Sequence, residues 1–228
     1  MKLILTGATG AAGLEILRAA MSDIAVERPA SIRPSPKVQV FTHGDFASYP
    51  STLLDRIRDH DACIWALGKS SNGMTERDYV VLTRDWPMAA IAAFNDSGMG
   101  SVQRPFRFVY VSGESADQSE KALLMFARVK GRADKDLIDF AKSTHGTMKA
   151  QMLKPGYFFP EHPDDRQDVR TAATRFFDRA IIPILTTIKP SMAIKIGDLA
   201  KAAVRIAKGE CGDDEVFTNA QMKVLAQA

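Results

Sequence analysis

The chain has 228 residues, enough to bury one substantial core and better suited to one α/β domain than to two small ones. A formal net charge of +3, with basic residues dispersed, argues against a nucleic-acid partner. No stretch reaches the roughly 20 apolar residues that span a bilayer.

Short apolar runs alternate with helical stretches, the pattern of a doubly wound parallel sheet, α/β, covered on both faces. In chain order, a strand is expected over Lys2–Thr6 and a helix over Ala11–Met21, with Leu14, Leu17 and Met21 on one face. Arg28–Pro36 holds three prolines and reads as a loop. Strands follow at Val38–Phe41 and Ala62–Leu67, the second carrying a buried Cys63. A helix is expected over Asp78–Phe94, kinked or bounded at Pro87. Then come a strand at Phe106–Ser112, a long amphipathic helix over Lys121–Lys142 and a strand at Met148–Leu153. Pro160–Asp168 reads as a loop, and the apolar run at 180–188 is short and broken by Pro183. A last helix begins at Gly197-Asp198, runs through Ala207 and stops at Gly209. Residues 1–228 are expected to form a single domain, with 157–228 supplying a small C-terminal substrate cover and the closing elements.

Cys63 and Cys211 lie far apart, which argues against a disulfide framework and for a reducing, cytoplasmic setting. His43, His60, His145 and His162 show no paired metal-ligand spacing, so no metal is expected.

The strongest signal is Thr6-Gly7-Ala8-Thr9-Gly10-Ala11-Ala12-Gly13, which leaves an apolar strand and opens an amphipathic helix. Gly7 allows a tight turn, Gly10 removes a side chain where backbone must approach a pyrophosphate, and Gly13 lets helix and strand pack closely. The helix N-terminus then offers free N–H groups and the positive end of its dipole to phosphate.

This Gly-x-x-Gly-x-x-Gly turn resembles that of the extended and atypical short-chain dehydrogenase/reductases, a group of Rossmann-fold proteins. Among them are NmrA-like and epimerase-like proteins and the Tat-interacting-protein type of oxidoreductase. Further stretches follow the family's order. Gly44-Asp45-Phe46 resembles the turn beside the adenine, and Ala66-Leu67-Gly68 the loop passing the cofactor ribose. Ser112 matches the serine that orients the substrate carbonyl, and Lys154-Pro155-Gly156-Tyr157 the turn near the nicotinamide. Asp198-Leu199-Ala200 resembles the late helix start. The resemblance implies an NAD(P)-binding oxidoreductase acting on a small carbonyl or alcohol. It also allows a non-catalytic sensor or interaction module with a protein partner.

The chain departs from this family in two places. The family's proton-transferring tyrosine stands four residues before a lysine on one helix face. Lys130 is in place, but Phe126 occupies the tyrosine's position, fourteen residues after Ser112, and has no ionisable proton. Tyr157 is the expected substitute, with Tyr79, Tyr110 or a water held by Ser112 as alternatives. Secondly, prolines interrupt the region where a strand should end in the residue that reads the adenosine ribose. Arg33 has the better spacing and Arg28 is the alternative, so NADP is expected ahead of NAD. Between Phe159 and Thr187, Arg166, Arg170, Arg175 and Arg179 accompany an expected substrate cover.

Overall fold

The computed structural model describes residues 1–23, 37–158 and 193–227. Its centre is a parallel sheet of β1 (Leu3–Thr6), β2 (Ala62–Trp65), β3 (Phe106–Val111), β4 (Met148–Lys154) and β5 (Val216–Thr218), five-stranded and ordered β1-β2-β3-β4-β5. The register sets Thr6 beside Trp65, Trp65 beside Tyr110, and Val111 beside Leu153, so the strand ends line up along one rim. In β2 every residue is buried, as a strand covered on both faces requires. In β1, at the edge of the described sheet, buried and half-buried residues alternate.

Helices cover both faces. On one, Ile16, Leu17 and Ala20 of α1 (Ala11–Ser22) meet Leu199, Ala203 and Ile206 of α6 (Ile196–Lys208) over Leu5, Ile64 and Val109. On the other, Ile91 and Phe94 of α4 (Trp86–Asp96) join Leu137 and Ile138 of α5 (Met125–Ser143) over Cys63, Trp65 and Phe108. Cys63 is wholly buried as expected, and both it and Cys211 are free thiols. Gly209 ends α6 in the left-handed region at φ 79°, where glycine carries no steric penalty. Among the described residues no helix is long and apolar enough to cross a membrane.

Several expectations need correction. Val38–Phe41 is irregular rather than a strand: Val40 is 63 % exposed, while Phe41 packs at the margin of the core around Trp65 and Phe108 and lies under the Arg56 guanidinium, 4.4 Å from its ring centre. The helix expected from Lys121 starts at Met125, because Asp117 first captures the chain. Its carboxylate accepts the N–H groups of Ser119, Lys121 and Ala122 at 2.9, 2.9 and 2.8 Å. The short helices α2 (Ser51–Ile57) and α7 (Asn219–Leu225), and β5, were not anticipated. Residues 24–36 and 159–192, with the loops expected at Arg28–Pro36 and Pro160–Asp168, lie outside the described residues.

The helix around Pro87 is continuous but changes pitch. Residues Glu76–Val80 (α3) run into a π-helical turn, Val81–Asp85, and then into α4, whose first turn holds Pro87. Proline has no N–H for the Thr83 carbonyl four residues earlier. The Tyr110 hydroxyl donates to that carbonyl instead, at 2.9 Å.

Gly131 lies in mid-α5 where the Asp117 backbone crosses; a Cβ there would sit 1.9 Å from the Asp117 carbonyl oxygen. Gly131→Ala is therefore expected to lower the melting temperature by roughly 5 °C despite alanine's better helix propensity. A thermal melt at or above that of the parent chain would refute this packing.

Candidate active site

The site is built at the rim where β1, β2 and β3 end. Gly7 leaves β1 at φ +72°, and a Cβ on it would lie 2.5 Å from the Ala66 carbonyl oxygen, so the turn presses directly on the loop after β2. Gly10 donates its N–H to the Gly7 carbonyl at 3.0 Å and starts α1. No side chain caps that helix, and its first turn holds no acidic residue. A helix end left in this state favours an anion through its free N–H groups and its dipole. Gly13 is required by packing, since a Cβ there would fall 2.0 Å from the Gly7 carbonyl oxygen.

A cavity of about 470 Å³ opens in front of this helix end. Gly10, Ala11 and Ala12 form one wall, Ala66, Leu67 and Gly68 a second, and Ser112, Phe126 and Lys130 a third. Lys130 Nζ donates to the Ser112 backbone carbonyl at 3.0 Å, which ties α5 to the end of β3. Burial lowers its pKa, and the charge of Asp134 opposes that change.

Asp134, one turn further along α5, was not anticipated. It is wholly buried. Burial pushes its carboxyl up to about 6, against the Ser112 hydroxyl, Lys154 and Lys130, which all favour the charged form. Lys154 Nζ lies 3.4 Å from Asp134 Oδ2 and donates to the Ala116 carbonyl at 2.9 Å. The i, i+4 spacing of Lys130 and Asp134 was readable in the sequence. That Asp134 lies behind Ser112 depends on how α5 packs on β3 and β4.

Solved structures share this architecture. The UDP-N-acetylglucosamine 4-epimerase of Bacillus cereus matches with a TM-score of 0.63 at 14 % identity, over 98 % of this chain and 82 % of that one. A short-chain dehydrogenase of Burkholderia cenocepacia, solved in complex with NADP, matches with a TM-score of 0.63 at 16 % identity, over 99 % of this chain and 91 % of that one. The chain shares the Rossmann-like fold of these proteins, a parallel α/β sheet covered on both faces. In sequence it is 29 % identical over 145 residues to leucinostatins biosynthesis cluster protein T of Purpureocillium lilacinum. That match spans 60 % of this chain and 51 % of that protein, about half its length. No protein-family model matches the chain.

Within this fold the tyrosines are distributed differently from the expectation. Tyr157 does not line the cavity; its carbonyl accepts the Ile194 N–H at 3.0 Å, and it is the next residue, Phe158, that reaches the cavity wall. Tyr79 and Tyr110 do line it, yet both are buried, and burial raises both pKa values. The Tyr110 hydroxyl is held by the Thr83 carbonyl, and that of Tyr79 interacts with the Thr83 side chain.

A second cavity, about 570 Å³, lies on the other side of the glycine turn along β1. Gly7, Ala8, Thr9, Phe46 and Leu67 line it, as does Arg56, a cation that the sequence reading did not single out. Asp45 does not line either cavity. Its carboxylate accepts the Ala47 N–H and the Ser48 hydroxyl, both at 3.0 Å, and so closes a local turn that presents Phe46. Pro155 and Gly156 are likewise held by the scaffold: the Pro155 carbonyl accepts the Glu114 N–H at 2.9 Å, and the Gly156 N–H donates to Asn219 Oδ1 at 3.0 Å. Arg33 and Arg28 lie outside the described residues.

Proposed function

We propose that this chain is an atypical short-chain dehydrogenase/reductase that binds a nicotinamide dinucleotide and acts on a small carbonyl or alcohol. The observation that carries this reading is the convergence of the uncapped α1 N-terminus, the Ala66–Gly68 loop, Ser112 and Lys130 on one cavity. The pyrophosphate would lie on the N–H groups at Gly10–Ala12, with the Lys130 ammonium on the nicotinamide-side ribose and Phe46 toward the adenine. When bound, the nicotinamide supplies or accepts hydride. The chain's own part is to orient the substrate oxygen at Ser112 Oγ and to exclude water with Phe126, Tyr79 and Phe158. NADP ahead of NAD rests on Arg33, to which Arg56 adds a cation beside the second cavity.

The test is a titration with NADPH and then NADH, followed by nicotinamide fluorescence and thermal stability. NADPH should bind more tightly, and at about a hundred times its Kd should stabilise the chain by about 2.7 kcal/mol, a rise of roughly 5–10 °C. Failure of both cofactors to bind would overturn the reading.

Phe126 favours a second reading, a non-catalytic cofactor sensor or protein-interaction module, because phenylalanine can neither give nor take a proton. Phe126→Tyr separates the two. With the cavity otherwise competent, a phenol one turn before Lys130 should raise carbonyl reductase activity about a hundredfold or more. A cofactor-loaded variant with no gain across a broad carbonyl panel would leave the sensor reading.

A further inference from the structure

With a cofactor along Gly10–Ala12, Ala66–Gly68 and Lys130, the cavity walls left for a substrate come from elsewhere. One is largely aromatic, formed by Tyr79, Phe126 and Phe158. The other is the turn after β2, Lys69-Ser70-Ser71-Asn72, four polar residues in a row. Its own hydrogen bonds fix that turn. The Asn72 N–H donates to Ser70 Oγ at 3.3 Å, and the Met74 N–H donates to the Ser71 carbonyl at 3.0 Å.

The charge in this cavity is one-sided. Lys69 and Lys130 line it, and no Asp or Glu among the described residues does. Acids close to Lys69 in sequence are engaged elsewhere: Glu76 Oε2 lies 3.4 Å from Arg128 Nη2, and Asp78 Oδ2 accepts the Thr75 hydroxyl at 2.8 Å. Lys2, Lys135, Lys142, Lys149, Lys154 and Lys208 each lie against a carboxylate. Lys69 has no such partner among the described residues. An ammonium facing a cavity without a counter-charge favours an anion there, and the Ser70, Ser71 and Asn72 side chains add donors that a carboxylate can accept. An apolar pocket with a few polar groups at one end orients its ligand by that end.

Resting on the oxidoreductase reading, we propose that the substrate is a carbonyl or alcohol bearing a carboxylate on an apolar or aromatic body, and that Lys69 is the specificity residue that takes the carboxylate. The aromatic wall holds the body, with the reacting carbon toward the nicotinamide and the acid toward the turn after β2. Lys69 touches neither the reacting carbon nor its oxygen; it selects which substrates are held.

A binding measurement tests this without turnover. On the NADPH-loaded chain, whose nicotinamide cannot accept hydride, 4-(hydroxymethyl)benzoate and its neutral methyl ester are titrated by calorimetry. The acid should bind about tenfold more tightly than the ester. That preference should narrow as salt rises from about 0.05 M to about 0.5 M. Lys69→Met should abolish the preference and Lys69→Arg should keep it, with NADPH affinity the same in the parent and both variants. Lys69 is exposed, so neither substitution disturbs the core. Acid and ester binding alike, or neither binding, overturns the inference. So does a loss of NADPH affinity of about tenfold in Lys69→Met, which would assign Lys69 to the cofactor's phosphates.

Turnover gives an independent readout in whichever of the parent and Phe126→Tyr chains reduces 4-formylbenzoate; should both be idle, the binding preference decides. Lys69→Met should raise KM about tenfold and hold kcat within about a factor of two. A fall in kcat at constant KM would overturn the role. A chain that binds NADPH but shows no acid preference loses this inference alone. A chain that binds neither NADPH nor NADH loses the reading beneath it as well.

Discussion

Gly13→Ala is expected to destabilise the chain by roughly 1–3 kcal/mol and to weaken NADPH binding at least tenfold. In an exposed helix the same change would stabilise by up to about 1 kcal/mol, because alanine is the better helix former. Here the new Cβ would stand 2.0 Å from the Gly7 carbonyl oxygen, 2.6 Å from its carbon and 3.1 Å from Ala8 Cα. All three are backbone atoms, with no flexible side chain to swing away, so α1 must lift from the turn and the clash outweighs the propensity. The melting temperature should fall by roughly 3–10 °C. Gly10→Ala is the control: its Cβ would meet the Gly7 carbonyl oxygen at 3.4 Å, close to ordinary contact. It should melt within about 2 °C of the parent yet lose NADPH affinity, since the added methyl stands where a pyrophosphate must approach. Thermal melts and NADPH titrations on both variants separate the packing glycine from the ligand-facing one. Equal melting of Gly13→Ala and the parent would remove the packing argument.

Asp134→Asn should change how stability depends on pH. The folded carboxyl stands at about 6 against an ordinary 3.8, with burial as the leading cause and Ser112, Lys154 and Lys130 opposing it. A carboxyl raised on folding contributes its full stability below the unfolded value and loses it as pH rises through the folded one. In the parent chain, roughly 3 kcal/mol is therefore lost between about pH 3.5 and about pH 7. Asparagine has nearly the shape of the neutral acid and does not ionise, so the variant lacks this loss. Relative to the parent, Asp134→Asn should gain stability steadily across that window and hold the gain above it. Urea denaturation at a series of pH values measures the difference. A constant offset between the two chains would mean that Asp134 ionises as freely folded as unfolded.

Local pattern carried much of the fold. Short, mainly apolar runs followed by glycine, serine or proline marked β1, β2, β3 and β4, and Ala62–Trp65 is buried throughout, as a strand covered on both faces requires. The 3.6-residue period marked α1 and α5 through residues that prove buried, among them Leu17 and Leu137, while start and stop signals at Gly197-Asp198 and Gly209 marked α6. Val38–Phe41 looked equally strand-like, but a strand needs a ladder partner, and alternation of apolar residues cannot supply one. Ser51–Ile57 and Val216–Thr218 were too short for either period to register.

For the candidate site, the sequence by itself determined the parts whose chemistry is local. These are the glycine turn, whose spacing dictates a tight strand-to-helix passage, the i, i+4 relation of Phe126 to Lys130, and the loss of the phenol. Tertiary structure decided which of the remaining polar groups meet. It brought Asp134 of α5 against Lys154 of β4, gave the Tyr110 hydroxyl to the carbonyl that Pro87 leaves unpaired, put Phe158 rather than Tyr157 in the cavity wall and used the Asp45 carboxylate to close a turn. Burial and hydrogen-bond partners arise between segments far apart in the chain. They follow from how helix, sheet and loop pack against one another, which no window of adjacent residues encodes.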